Sequence, residues 1–221
     1  MIVFNTPIER MILAYYGSLM EISETALKVH RAGSWVGLPT LVRAMMEVLA
    51  DIRLLVRDPN YIDCIKLKHA NFWIKRFEAA DEGNPLLSSV KNSPDKDFYE
   101  QEAKELRDKG VVMLTIKERF DRADMQQAYE GSYALLSSDT HVDLSAIAGN
   151  PFNLQNRTLK VSYFREYEGS EKLATMFTWL EIVFLAVEEI AKVFTGFEKQ
   201  IEDYDTIVQE LDDAASTTLS A

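Results

Sequence analysis

The chain has 221 residues, of which 47% are hydrophobic and 10% aromatic, a composition that predicts a sizeable packed core and excludes a disordered chain. Its net charge of −11 has the wrong sign for non-specific nucleic-acid binding, which depends on basic side chains. One cysteine, Cys64, excludes an intramolecular disulfide, and the N-terminus lacks the basic start and long apolar run of a secretory signal. The longest apolar run, residues 176–187, is too short and too charged to span a bilayer, so we expect a soluble, cytoplasmic protein.

Apolar residues recur at helical spacing along most of the chain, and prolines and glycines mark the ends of the repeating segments. Asp58-Pro59 ends the second segment, because the residue before a proline resists the α-helical conformation. Thr115 and Glu118 have the spacing of a capping box at the start of the fifth. Gly196 is a point where the last helix can bend. The predicted helices cover residues 7–31, 38–57, 61–80, 95–110, 116–122, 125–141 and 170–213.

These seven helices predict an all-α fold, an irregular up-and-down bundle with a long C-terminal helix. The low content of glycine and proline, 9 and 6 residues, agrees with helices joined by few tight turns. The helical pattern is lost between residues 148 and 169, where residues 159–164 could form a short extended piece. We expect residues 1–213 to form a single helical domain and the small, polar residues 214–221 to form a frayed tail.

Residues 125–147 contain the spacing of polar side chains that most strongly indicates a catalytic or binding role. In a helix, Tyr133, Ser137 and His141 lie at i, i+4 and i+8 along one stripe beside an apolar face. In the functional interpretation His141 is a general base or proton donor, and Ser137 orients it or acts as a nucleophile. The commoner alternative is a helix-end histidine that is hydrogen-bonded to the neighbouring tyrosine. No Gly-x-Ser-x-Gly elbow accompanies the pair.

Polar side chains also occur on the apolar faces of three other helices. In one interpretation Arg53, His69 and Arg76 form an inward-facing basic pocket for an anionic ligand, since arginine forks match phosphate and carboxylate. In the other interpretation, the arginines form structural ion pairs or extend their charged ends to the edge of the apolar face. Glu181 lies among apolar residues of the last helix and would need a cationic partner if buried, and Arg53 and Arg76 are the candidates.

Arg43, Glu47 and Asp51 are spaced by four along the second helix. They project away from its main apolar arc, so periodicity predicts a solvated face. On such a face the Arg43–Glu47 pair would contribute about 0.3–0.5 kcal/mol.

Motifs for metals and cofactors are missing from the sequence. It has no His-Glu-x-x-His, no paired cysteines, no Walker loop and no dinucleotide fingerprint, and no histidine follows a glutamate at the Glu-x-x-His spacing of di-iron bundles. Asp139, His141 and Asp143 alone are a weak signal. We therefore expect neither a metal site nor a cofactor.

The second and sixth predicted helices together carry a resemblance to a known family. The segment LVRAMMEVLADIRLLVRDP, with its Arg-x-x-x-Glu, is similar to a family of uncharacterised bacterial helical proteins known only as a domain of unknown function. Proteins of that family pair such a helix with a later Tyr-x-x-x-Ser-x-x-x-His helix, which Tyr133, Ser137 and His141 match. The resemblance covers residues 38–145. It implies that Arg43 and Glu47 face the Ser137–His141 stripe, the opposite of what periodicity predicts.

That family also resembles, more distantly, the HEPN proteins, helical modules that are common in bacterial toxin–antitoxin and phage-defence systems. Metal-independent ribonucleases of the HEPN type carry an arginine four to six residues before a histidine. His30, His69 and His141 have none in that window, so the resemblance implies a ligand-binding or partner-binding version rather than an active ribonuclease.

Two hypotheses about function follow. In the first, a polar pocket built from Arg43, Glu47, Tyr133, Ser137 and His141 binds or processes a nucleotide-like or other anionic ligand. In the second, the chain is a non-enzymatic module that forms a homo-oligomer or docks a partner through segment 173–197 of its last helix, which is apolar nearly all round its circumference.

Overall fold

The computed structural model describes residues 5–35, 37–140, 152–155, 158–161, 169–197, 199, 201–203 and 206. The described chain is all-α apart from one short hairpin, so the predicted fold class is confirmed. In the hairpin, β1 (Phe152–Gln155) pairs antiparallel with β2 (Thr158–Val161). The helices are α1 (Pro7–Arg31), α2 (Leu38–Arg57), α3 (Tyr61–Asp81), α4 (Asp95–Asp108), α5 (Ile116–Arg122), α6 (Gln126–Ala128), α7 (Ala134–Thr140) and α8 (Gly169–Ala191), with a 3₁₀ turn at Pro85–Val90 and a π-helical turn at Tyr129–Tyr133.

Local sequence signals account for the helix ends. The Thr6 hydroxyl accepts a hydrogen bond from the backbone N–H of Glu9 and caps α1, and Thr115 and Glu118 form the predicted capping box of α5. Gly196, at a φ of +95°, lies in the turn that follows α8. The last helix therefore ends at Ala191 instead of running unbroken toward residue 213, as expected if the chain bends at this glycine.

The stretch from residue 126 to residue 140 is helical but not a continuous α-helix. Three α-helical residues lead into the π-helical turn, and α7 follows it. Asp124 has a φ of +59° and lies one residue before the N-cap position, Met125, which makes no side-chain cap. A π turn adds a residue to a helical turn and so changes the direction in which later side chains point. Residues 141–147 lie outside the described residues.

Helix α2 is the central element of the fold, packed against α1, α5, α7 and α8. Its fully buried side chains include Val42, Met45, Leu49 and Ile52, each of which contributes about 1.5–3 kcal/mol relative to an exposed position. Because neighbours surround α2 on several sides, its polar positions are enclosed together with its apolar ones.

Helices α3 and α4 form a second, smaller cluster of buried residues, Leu67, Ala70, Ala103 and Leu106. The N-terminal part of α3 reaches the main core, through Tyr61, Ile62, Cys64 and Ile65. Among the described residues, none of the helices is long and apolar enough to cross a membrane.

Candidate functional site

The polar stripe of α2 is enclosed by other helices. The Arg43 and Glu47 side chains are 18% and 29% exposed, and Asp51 is buried. The solvated face predicted from periodicity is therefore wrong, because α5 and the π-helical turn supply polar side chains that cover this side of α2. What the family resemblance implied, a face turned toward the helix of Tyr133 and Ser137, describes the geometry better.

Arg119 of α5 joins the two carboxylates of the stripe. Its Nη1 lies 2.8 and 2.9 Å from the two carboxylate oxygens of Asp51, and its Nη2 lies 3.2 Å from Oε2 of Glu47. Burial alone would lower the pKa of this guanidinium, but the contact with Asp51 outweighs burial and raises it. Arg119 therefore stays charged and neutralises the buried carboxylate.

Two tyrosines complete the surroundings of Asp51. The Tyr61 hydroxyl donates a hydrogen bond of 2.6 Å to Oδ1 of Asp51. Burial, assisted by the charge of Asp51, raises the pKa of Tyr61 well above its ordinary value and that of Tyr15 to about 12. Both phenols are therefore neutral at physiological pH. A small cavity of about 100 Å³ adjoins them and is also lined by Cys64.

The π-helical turn places Tyr133 over the other end of the stripe. Its hydroxyl accepts a hydrogen bond of 3.0 Å from Nη2 of Arg43 and donates one of 2.9 Å to Oε1 of Glu47. The Arg43 guanidinium also lies 5.0 Å from the centre of the Tyr133 ring, and its Nε is 3.7 Å from Glu47. Stacking against Tyr129 and packing on Phe120 hold the ring in this position.

The result is one continuous polar network across four helical segments, which we call the α2 network. Its members in spatial order are Arg43, Tyr133, Glu47, Arg119, Asp51 and Tyr61. Two guanidinium groups balance two carboxylates, so the network is formally neutral. Its buried end is fully paired, and its other end presents a guanidinium, a carboxylate and a phenol at a partly exposed edge.

Ser137 lies one turn beyond Tyr133 and is half-buried. Its hydroxyl donates a hydrogen bond of 2.7 Å to the backbone carbonyl of Tyr133. A nucleophilic Ser137 would first have to release this bond, since the proton is held by the backbone. His141 lies outside the described residues, so its role as a general base stays a prediction.

Arg53 has a different partner from the one predicted. Its Nε lies 3.2 Å from Oε1 of Glu189, a buried residue of α8, whereas Glu181 is exposed. Glu181, which would need a cationic partner only if buried, is exposed because α8 turns its Glu189 side toward α2. Of the two interpretations of Arg53, the structural ion pair is present, with Glu189 as the partner.

His69 and Arg76 of α3 lie outside the α2 network. The His69 ring meets the edges of Trp73 and of Tyr99 from α4. The Arg76 guanidinium covers the Phe72 ring and donates a hydrogen bond of 2.9 Å to the Phe72 carbonyl. Neither residue lines the cavity beside Arg53, so the structure does not bring these two residues together with Arg53.

Arg119, Tyr61 and Tyr15 are site residues that the sequence did not single out, and Asp51 was assigned to solvent. One signal was present for Arg119, which follows Ile116 by three positions and so shares the apolar side of α5. The described residues contain no cluster of three or more histidine, cysteine, aspartate or glutamate side chains arranged to hold a metal ion.

Comparison with known proteins places the chain in a family. Residues 9–157 match the model of a family described as "Family of unknown function (DUF5677)", a stretch that includes every member of the α2 network. No curated protein and no solved structure matches the chain. The chain belongs to this DUF5677 family of unknown function, and the α2 network lies within the part that the family model covers.

Proposed function

We propose that the partly exposed edge of the α2 network binds, and with the help of Ser137 and His141 processes, a nucleotide-like or other anionic ligand. The observation that carries the proposal is the Tyr133 hydroxyl, which links the Arg43 guanidinium to the Glu47 carboxylate between two helices. Convergent polar groups of both charges at the edge of an apolar core are typical of small-molecule sites.

Stability alone is a weak reason for such a network. Removing two guanidinium groups and two carboxylates from water costs several kcal/mol per ion, and well-packed hydrophobic residues of similar volume often stabilise a fold as well or better. A second contribution, from ligand binding, is a better explanation for keeping charges at the centre of the bundle.

The formal neutrality of the network favours a ligand that carries both an anionic group and hydrogen-bond donors. The guanidinium of Arg43 suits a phosphate or carboxylate, and the carboxylate of Glu47 suits a sugar hydroxyl or an amino group. A nucleotide offers both. The Tyr133–Ser137 spacing places His141 on the following turn if the helix continues, where it would act as general base.

We also infer a bacterial, cytoplasmic setting and a distant relationship to HEPN modules of toxin–antitoxin or phage-defence systems. The support is the Arg-x-x-x-Glu of α2 and its pairing with the Tyr133–Ser137 helix. The missing arginine before each histidine favours a ligand-binding member over a ribonuclease.

Calorimetric titration with adenosine 5′-monophosphate and with inorganic phosphate tests the proposal. We expect saturable binding of the nucleotide that becomes about tenfold to a hundredfold weaker in Arg43→Gln and in Glu47→Gln, since each loses a charge-assisted hydrogen bond. Arg57→Gln is the matched control, because Arg57 lies on the same helix in a loose, exposed pair with Asp124. Binding that is absent in the native chain, or unchanged in both variants, would reject the proposal.

A second candidate function is a homo-oligomer or a partner-docking module built on α8. Leu173 and Phe177, one helical turn apart, are 57% and 51% exposed, so α8 presents an apolar strip. Under this alternative, light scattering gives an oligomer that Leu173→Ser/Phe177→Ser converts to monomer, and His141→Ala has no effect in cells. A monomeric native chain whose cellular effect disappears with His141→Ala would exclude it.

A further inference from the structure

A second cavity adjoins the segment that carries Tyr133. It has a volume of about 700 Å³ and is enclosed by α2, by residues 124–132 and by α8. Pockets for small organic ligands commonly measure about 300–1,000 Å³, so the size is suitable. We call it the Arg53 cavity, after the cation that lines it; none of the α2 network residues lines it.

Arg53 lines this cavity, and part of its guanidinium has no hydrogen-bond partner among the described residues. The side chain is 14% exposed, and its Nε is sealed from solvent against Oε1 of Glu189. The two terminal nitrogens have no hydrogen-bond partner in the part of the chain that the structure describes, and they are not sealed as Nε is. An arginine that serves only an ion pair would be expected to use its two-nitrogen fork on the carboxylate. Here the contact with Glu189 is made by Nε, which leaves the two terminal nitrogens unpaired in a residue that lines the cavity.

Glu189 keeps Arg53 in this orientation. Its carboxylate is 3% exposed and also lies 2.8 Å from Nζ of Lys192. The carboxylate attracts the guanidinium electrostatically on its Nε side, although neither Nε of Arg53 nor Oε2 of Glu189 makes a hydrogen bond among the described residues. The fork is therefore positioned before any ligand arrives, which reduces the entropy that binding would otherwise cost.

The other walls restrict what can occupy the cavity. Met46, Leu49 and Ile182 form an apolar part, and the polar side chains of Gln127, Ser132 and Thr178 line the rest. The Thr178 hydroxyl already donates to the backbone carbonyl of Ala174, which leaves its oxygen as an acceptor. The carboxylates Glu181 and Asp124 also line it, and both are exposed to solvent.

We propose that the Arg53 cavity binds a small organic anion, a carboxylate or a phosphate monoester, with its anionic group on the terminal nitrogens of Arg53 and its apolar body against α2 and α8. A planar fork of N–H donors beside an apolar wall favours these two groups over a halide or a cation. The apolar wall favours an organic body over inorganic phosphate. This site is separate from the α2 network, and its ligand does not depend on the function proposed there.

Calorimetric titration of the full chain with four probes tests which kind of ligand the cavity binds. The probes are benzoate, phenyl phosphate, inorganic phosphate and benzylamine, which is a cation of similar size. We expect saturable binding of benzoate or phenyl phosphate, binding of inorganic phosphate that is about tenfold weaker because it lacks the apolar body, and none of benzylamine. Benzylamine binding, or equal affinity for inorganic and phenyl phosphate, would overturn the proposal.

The variants are chosen to preserve the fold. Arg53→Gln alone would leave Glu189 buried without that partner, so the informative variant is Arg53→Gln/Glu189→Gln, checked by circular dichroism. We expect it to bind the preferred probe about tenfold to a hundredfold more weakly, and Arg53→Lys, which keeps the charge but loses the fork, to weaken binding as well.

A control outside both sites tests whether the loss is local to Arg53. Arg10→Gln removes an exposed cation of α1 that does not line the cavity, and it should bind the probe as the native chain does. Unchanged binding in the Arg53 variants, or no binding of any probe by the native chain, would contradict the proposal. Loss of adenosine 5′-monophosphate binding in the Arg53 variants alone would reject the α2 network as the nucleotide site and support an anion site here.

Discussion

Nη1 of Arg119 lies within 2.9 Å of both carboxylate oxygens of Asp51, a contact that joins two residues 68 positions apart in the chain. Both side chains are buried, 6% and 9% exposed, so solvent can replace neither partner. The contact fixes α5 against α2 and determines which side of α2 the rest of the network can occupy.

Asp51→Ala should be strongly destabilising, because it leaves the Arg119 charge buried with only the half-exposed Glu47 as a carboxylate partner. The free energy of unfolding should fall by about 3–5 kcal/mol, measured by urea denaturation at neutral pH. Glu24→Ala, which breaks an exposed pair with Lys28, is the control and should change it very little.

The double variant Asp51→Ala/Arg119→Leu tests whether the loss in the free energy of unfolding comes from the unpaired charge of Arg119. It should be no less stable than Asp51→Ala, because the unpaired guanidinium is gone and an apolar side chain fills its place. If the second substitution adds a further loss of similar size, the charge interpretation does not hold.

Tyr133→Phe should test the link between Arg43 and Glu47 without disturbing packing. It removes a hydroxyl that accepts one hydrogen bond and donates another, so we expect a loss of about 1–2 kcal/mol in the free energy of unfolding. Tyr129→Phe is a matched control, since Tyr129 stacks on Tyr133 but its hydroxyl has no hydrogen bond among the described residues. Equal effects of the two variants would mean that the link contributes nothing.

The helix boundaries could be predicted from the sequence because their causes are local. Pro7, Asp58-Pro59 and the Thr115–Glu118 box act within a few residues, and the first five predicted helices agree with the structure to within two residues at each end. The burial of Asp51 has no local cause. It depends on Arg119 arriving from α5, and a single helical wheel cannot show which side of a helix another helix will cover.

Two further differences between the prediction and the structure also arise because periodicity within one helix does not show how that helix meets its neighbours. Helix α8 is apolar nearly all round, so periodicity could not decide whether Glu181 or Glu189, roughly 80° apart around a helix, would face α2. The π-helical turn at residues 129–133 has no clear sequence signal, and it changes the direction of the side chains that follow. The resemblance implied that Arg43 and Glu47 face the Ser137–His141 stripe, where periodicity predicted solvent, and the two residues contact Tyr133, one turn before Ser137. A family pattern carries information about distant contacts that periodicity lacks.

Alkaline pH should destabilise the fold through Tyr15 and Tyr61. Burial raises the pKa of Tyr15 to about 12 and that of Tyr61 well above its ordinary value, whereas in the unfolded chain both lose their protons near pH 10, roughly. Above that pH the folded state retains protons that the unfolded state has released. The free energy of unfolding contributed by these groups is therefore complete below about pH 10 and decreases as pH rises toward 12.

Urea denaturation at a series of pH values between about 8 and 11 measures this dependence. Lysines and other tyrosines titrate in the same range, so the comparison is between slopes of the native chain and of Tyr61→Phe. The variant should show a shallower decrease, because one phenol with a raised pKa is missing. Parallel slopes would show that the Tyr61 phenol does not contribute to the pH dependence.

Thr115→Ala should weaken the α2 network from a distance. The Thr115 hydroxyl accepts the backbone N–H of Glu118, and the Glu118 carboxylate accepts the backbone N–H of Thr115, so the substitution opens the first turn of a helix of only seven residues. Loss of an N-cap costs about 1 kcal/mol. Thr25→Ala, which removes an exposed mid-helix hydroxyl that donates to the Glu21 carbonyl, should be nearly neutral.

Because α5 carries Arg119, the effect of Thr115→Ala should depend on Asp51. In the native chain the fraying of α5 also loosens the Arg119–Asp51 contact, so the loss should be larger than in an Asp51→Ala background, where that contact is already gone. A double-mutant cycle measured by urea denaturation gives the coupling directly. Additive losses would mean that the cap and the buried ion pair act independently.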